Sequence, residues 1–222
     1  STILGTESIP DNKFVSSERT NNEQKQGRNL IQTDYVLPLG KNSQFEAGFR
    51  GNYSSLLTDY KVEEDVLGNN NFTINTNFTN DLDYKENVTA FYSQFGSKIS
   101  KFSYLLGLRF EDSKIIINQL TTQDFNTKKY NNLFPSAFLT YEITEESSLS
   151  LNYSKRITRP RDRFINPFSS YSSNINLFQG NPDLNPAYSD SYDFDYLKKW
   201  KKITLNSSVY FNKTSNSFQI VQ

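Results

Sequence analysis

Polar and apolar residues alternate with a period of two in eight separate stretches of this 222-residue chain, at 30–39, 44–54, 85–95, 101–112, 133–143, 148–157, 190–198 and 203–212. Helical periodicity is essentially absent. In a strand, successive side chains point to opposite faces, so each stretch describes a strand with one oily and one wet side. The clearest is 101–112, where Phe102, Tyr104, Leu106, Leu108 and Phe110 oppose Leu105, Gly107, Arg109 and Glu111. In 148–157, Leu149, Leu151, Tyr153 and Ile157 oppose Ser150, Asn152, Ser154 and Arg156. The pattern predicts an all-β, antiparallel fold. Each stretch is about ten residues long, the length a tilted strand needs to cross a bilayer.

What the oily side is buried against decides between a soluble sandwich and a membrane barrel. Only 35% of residues are apolar, yet aromatics reach 15%, with 14 Tyr and 18 Phe. Sparse apolar residues rich in aromatics suit a barrel whose strands alternate lipid-facing and water-facing positions between aromatic girdles. One stretch, 85–95, is less clean. Val88, Ala90 and Tyr92 are read there as the oily side, against Thr89, Phe91 and Ser93.

The connections alternate as well. Short turns at 40–43, 96–100, 144–147 and 199–202 separate long polar segments at about 57–83, 113–131 and 158–189. Short on one end and long on the other is the arrangement of periplasmic turns and extracellular loops in an up-and-down transmembrane barrel, whereas a sandwich varies its loops without strict alternation. Residues 1–27 read as part of another external loop. The whole of 1–222 is expected to be part of one barrel domain, about eight strands of a larger barrel, without plug or terminal strands.

Composition restricts the chemistry. The chain has no His and no Cys, so the usual general base, the commonest metal ligand and thiol catalysis are missing. Lys+Arg and Asp+Glu both number 24, which gives no electrostatic case for nucleic acid. The expectation is a protein that is not an enzyme, with no catalytic residue, metal or cofactor.

Three stretches, at 84–113, 130–160 and 165–196, resemble the outer membrane β-barrel family of TonB-dependent-receptor type. The most specific pieces are LFPSAFLTY (133–141), YSKRITRP (153–160), and NPF (166–168) followed by GNPDLNP (180–186). Ala187 departs from the pattern, which places an acidic residue after that proline. The resemblance implies a barrel of about twenty-two strands in the outer membrane of a Gram-negative bacterium, filled by an N-terminal plug. It also implies TonB-energised import of a scarce nutrient ligand of siderophore, saccharide or peptide class. Implied partners are outer-membrane lipid and lipopolysaccharide, and the protein's own plug and TonB through a part absent from this chain; a surface lipoprotein over the long loops is a further candidate that the sequence neither requires nor excludes. Two other readings stand beside it: a non-importing barrel of an assembly or secretion complex, and a soluble extracellular β-sandwich that binds glycans.

Two sets of residues are candidates for function. On the wet side, Arg50, Arg109, Glu111, Arg156, Asp193 and Asp195, with Glu46 and Glu142, face a lumen. They either touch a plug or passing ligand, or simply solvate a wet wall through mutual ion pairs. In the long segment after the sixth strand, Arg159, Arg161 and Arg163 either bind phosphates of lipopolysaccharide or an anionic ligand, or anchor the loop. Phe168, Tyr171 and Phe178 of that loop either contact ligand or pack it into order. The KKWKK cluster at 198–202 suits an interfacial turn, with Trp200 in the girdle and lysines reaching toward head groups.

Overall fold

The structure, a computed structural model, describes residues 2–3, 17–166, 170–173, 176–178 and 180–219. Its strands are β1 (Thr2–Ile3), β2 (Ser17–Pro38), β3 (Ser43–Asp65), β4 (Thr73–Ile74), β5 (Asn80–Ile99), β6 (Phe102–Gln119), β7 (Asp124–Thr144), β8 (Ser147–Thr158), β9 (Ser170–Ser173), β10 (Asn176–Phe178), β11 (Ala187–Lys199) and β12 (Thr204–Ser215), with one helical turn, α1 (Asp162–Ile165). The main sheet runs β1-β2-β3-β5-β6-β7-β8-β11-β12, every neighbour antiparallel, with β4 added on β3, while among the described residues β9 and β10 pair only with each other. The eight long strands are the eight alternating stretches. Each pairs with the next long strand in the chain, as up-and-down connectivity requires. β2 and β12 are not paired with each other, so the sheet is open in this chain.

Register settles the two faces, because directly opposed residues share one. Phe110 lies between Phe91 and Leu133, and Phe91 lies opposite Phe49, making an aromatic row across β3, β5, β6 and β7. The Phe49 and Phe91 rings stand 5.1 Å apart. This face is apolar and bare: Leu106, Leu108, Leu133, Leu151 and Phe194 are all about half exposed, and among the described residues no second sheet covers it. That removes the sandwich, which needs its oily face packed.

The structure corrects the sequence reading in two places. On β5 the faces are reversed: Phe91 is on the bare apolar face, while Val88 and Ala90 are buried on the polar face beside Tyr92. Small residues there let neighbouring side chains approach. Gly48, opposite Tyr92, sits so close beneath its ring that an added Cβ would come within 2.3 Å of it.

The long external segments are also mostly strand. β6 and β7 continue to Gln119 and from Asp124, leaving only 120–123 as turn where 113–131 was expected to be loop. β3 runs to Asp65, and β2 begins at Ser17 within the expected loop 1–27. Beyond the bilayer both faces of a hairpin meet water or protein, so alternation fades although backbone pairing continues. The connections at the opposite end, at 39–42, 100–101, 145–146 and 200–203, are short as expected.

Candidate functional site

The chain leaving β8 does not extend away from the sheet. It turns back across the polar face and docks on β5 and β6. Arg159 begins the crossing. Its Nη2 donates to Glu111 Oε2 at 2.5 Å and to Ser113 Oγ at 2.7 Å, and its Nε lies 3.6 Å from Glu86 Oε1. Arg109, two residues before Glu111 on the same face of β6, donates to the other carboxylate oxygen at 2.6 Å. Glu111 is thus held between two guanidinium groups and is nearly buried. Two positive partners offset the cost of removing one carboxylate from water, which a single exposed pair would not.

Three residues on, α1 puts Ile165 into an apolar seat built on the nominally wet face. Leu82 and Tyr84 of β5 and Ile115 and Ile117 of β6 surround it, all at most 6% exposed, with Leu56 and Tyr130 at the edge. The return leg closes over α1. Gly180 N–H donates to Asn166 O at 2.8 Å and Asn181 N–H to Phe164 O at 2.7 Å. Gly180 passes so near the backbone of 163–166 that a Cβ would fall 2.3 Å from Asn166 O, so only glycine fits. Lys128 of β7 ties down the far end by donating to Leu184 O at 2.7 Å. Burial pulls the Lys128 ammonium below the ordinary lysine range, with Asp183 opposing the shift. Burial, then the neighbouring Glu86 carboxylate, pushes the Tyr84 hydroxyl well above the ordinary tyrosine range.

Two recesses lie on the same face of the sheet. One, of about 260 Å³, lies on the polar wall between Arg50, Tyr92, Gln94, Arg109, Phe134 and Ser136. The other, of about 360 Å³, lies beside the strap between Gln24, Ser54, Tyr84, Glu86, Arg161 and Asp162. Among the described residues no group of three or more acidic side chains is placed to hold a metal ion.

Residues 3–222 match the Outer membrane protein beta-barrel family. The chain belongs to that family. Its bare apolar face is therefore the lipid face, its polar face is the lumen face, and it resides in the outer membrane of a Gram-negative bacterium. Solved structures share the fold: the ferric citrate transporter FecA in its unliganded form (TM-score 0.63, 14% identity, 89% of this chain and 29% of that one), the ferric yersiniabactin uptake receptor FyuA from Yersinia pestis (0.60, 12%, 89% and 30%), and the alcaligin outer membrane receptor FauA from Bordetella pertussis (0.53, 13%, 92% and 32%). The chain spans under a third of the length of each. Comparison with curated protein sequences returned no match.

The sequence-derived candidates divide clearly. Arg50, Arg109, Glu111, Arg156, Asp193 and Asp195 all lie on the lumen face by register. Arg109 and Glu111 join the strap site, and Arg50 and Arg109 share the smaller recess. Arg156 is exposed, Asp195 accepts from Asn152 at 3.0 Å, and Asp193 lies opposite Asn152. Glu46 accepts from Gln94 at 2.5 Å, and Glu142 pairs with Lys98 at 2.6 Å. Arg159 is turned inward onto Glu111. Arg161, just before α1, and Arg163, within it, are exposed. The side chains of Phe168, Tyr171 and Phe178 lie outside the described residues.

The sequence reading missed Glu86, Ser113, Ile165 and the seat. One signal was available: the apolar triple Ile115–Ile116–Ile117 lay inside an expected loop, where such a run has no reason to be unless something covers it.

Proposed function

We propose that this chain is part of the wall of a TonB-dependent outer-membrane receptor that imports a nutrient ligand, with residues 159–166 and 180–186 forming a strap over its lumen at the outer mouth. The strap carries the reading. A wall whose only task is to stay open needs no apolar seat and no doubly paired Glu111 on its wet side, whereas a receptor that captures and then admits a ligand needs a mouth element held in place by breakable contacts. The fold shared with FecA, FyuA and FauA supports the same reading. The chemistry is non-covalent: no reaction is catalysed, and the lumen-face charges guide and exclude rather than cleave. The plug and the TonB contact belong to the part of such receptors that this chain does not span. The polar recess flanked by Arg50, Arg109 and Tyr92 offers hydrogen-bond donors to a siderophore, saccharide or peptide alike.

Deleting the intact gene and growing cells with limiting iron, cobalamin, peptide or glycan, with and without the energising TonB system, tests the proposal. A growth defect on one nutrient that matches the defect of TonB-deficient cells is the expected result. Wild-type growth in every medium, with the protein present at the surface, would leave the non-importing barrel as the correct reading.

A further inference from the structure

We propose that Lys114 and Lys129, on the lipid-facing side of the wall, form a site for the phosphate of an outer-leaflet lipid headgroup. The two residues are direct cross-strand partners on β6 and β7, and both are exposed. Like charges placed directly opposite one another destabilise a sheet. The other strand lysines on this face each have a carboxylate at hand: Lys25 pairs with Glu23 at 3.2 Å, Lys61 with Asp59 at 3.5 Å, Lys85 with Asp83 at 2.8 Å and Lys198 with Glu146 at 3.5 Å, and Lys155 and Lys213 both lie opposite Asp190. Asp112 stands two residues before Lys114, yet it lies opposite Asn131, and among the described residues no carboxylate comes within ion-pair distance of Lys114 or Lys129.

Height decides the occupant. The apolar belt on β6 ends at Phe110, beside Phe91 and Leu133. Lys114 is four residues further along the strand, about 13 Å at the strand rise and roughly 10 Å above the belt once the strand tilt is included. That is headgroup level, within reach of a snorkelling ammonium. A phosphate between the two ammonium groups converts a repulsive pair into two charge-assisted contacts. The inference rests on outer-membrane location alone, and a barrel that imports nothing could carry the site.

The test uses the full-length protein, purified and delipidated in detergent, titrated in native mass spectrometry with diphosphoryl lipid A and with the same lipid stripped of both phosphates. The wild type should prefer the phosphorylated lipid by about thirtyfold, the contribution of two lysines near a charged surface, and K114Q/K129Q should lose that preference. K201Q, in the opposite short turn, should keep it. A second readout separates lipid binding from fold damage. K129E places opposite charges across the strand pair, so it should raise thermal stability in lipid-free detergent while abolishing stabilisation by lipid A. Equal binding of both lipids by the wild type, retained preference in K114Q/K129Q, or equal stabilisation by millimolar inorganic phosphate would overturn the proposal.

Discussion

Arg159 and Glu111 are 48 residues apart in the chain and 2.5 Å apart on the lumen face. Arg159 stands where the chain leaves β8, and Glu111 sits at the level where the apolar belt of β6 ends. The contact therefore fixes the strap to the rim of the wall, and α1 inherits its position. Removing Arg159 leaves Glu111 with Arg109 alone and frees the strap. R159A should raise the opening rate of residues 159–166 in hydrogen exchange by about thirtyfold, from roughly 2 kcal/mol for charged hydrogen bonds. It should also loosen the backbone enough for trypsin to cut after Arg161 and Arg163, with the barrel itself intact. Unchanged trypsin resistance in R159A would show that the seat alone holds the strap.

The seat makes a separate contribution. Ile165 is 2% exposed among Leu82, Tyr84, Ile115 and Ile117. I165A should cost about 2–4 kcal/mol of strap closure, the usual range for a truncated buried aliphatic side chain. If strap and wall act as one unit, R159A/I165A should be non-additive in protease protection, because either change alone already releases the same segment.

The lipid face gives a prediction about insertion. Leu106 is 48% exposed on the bare face at mid-belt, while Ser154 lies on the lumen face opposite Ser136 and Ser191. L106R should cost about 2–4 kcal/mol and reduce heat-modifiable barrel in the outer membrane. S154R should be much milder. Equal tolerance of both substitutions would contradict the face assignment.

Gly48 tests close packing on the lumen wall. An added Cβ would lie 2.3 Å from the Tyr92 ring and 2.7 Å from Thr33 O. G48A should destabilise the barrel by about 1–3 kcal/mol through overpacking. Y92A should recover part of that loss, because removing the ring relieves one of the two clashes. The recovery is read from the temperature at which the folded band is lost on a gel.

Alkaline pH should loosen the mouth. Tyr84 is held neutral by burial and by the nearby Glu86 charge, so its folded value lies above the unfolded one. Its contribution is complete below about pH 10, the unfolded tyrosine value, and is lost as pH rises beyond that. Lys128 works the other way: its folded value is lowered by burial, so raising pH toward about 10.4 relieves a penalty. Thermal unfolding of the wild type compared with Y84F should therefore show a loss above pH 10 that Y84F lacks, with no loss from Lys128 below it.

The eight strands, their antiparallel order and the short turns were legible in the sequence. Lipid on one side and water on the other impose alternation directly on the residues, and a period of two needs no tertiary knowledge to read. Where that one-sided environment ended, the signal ended too. The β6–β7 hairpin above the belt was invisible because both its faces are mixed, and β5 was misassigned because Val88 and Ala90 are apolar yet small enough to line a crowded lumen wall. The strap site depended wholly on the tertiary fold. Arg159, Glu111, Glu86 and Ile165 come from three separate segments, and only the pairing of β5 with β6 and the return of the chain across the lumen face bring them together. A residue's own neighbours in sequence determine which way it faces, but a contact across 48 residues is decided by where the whole sheet puts them.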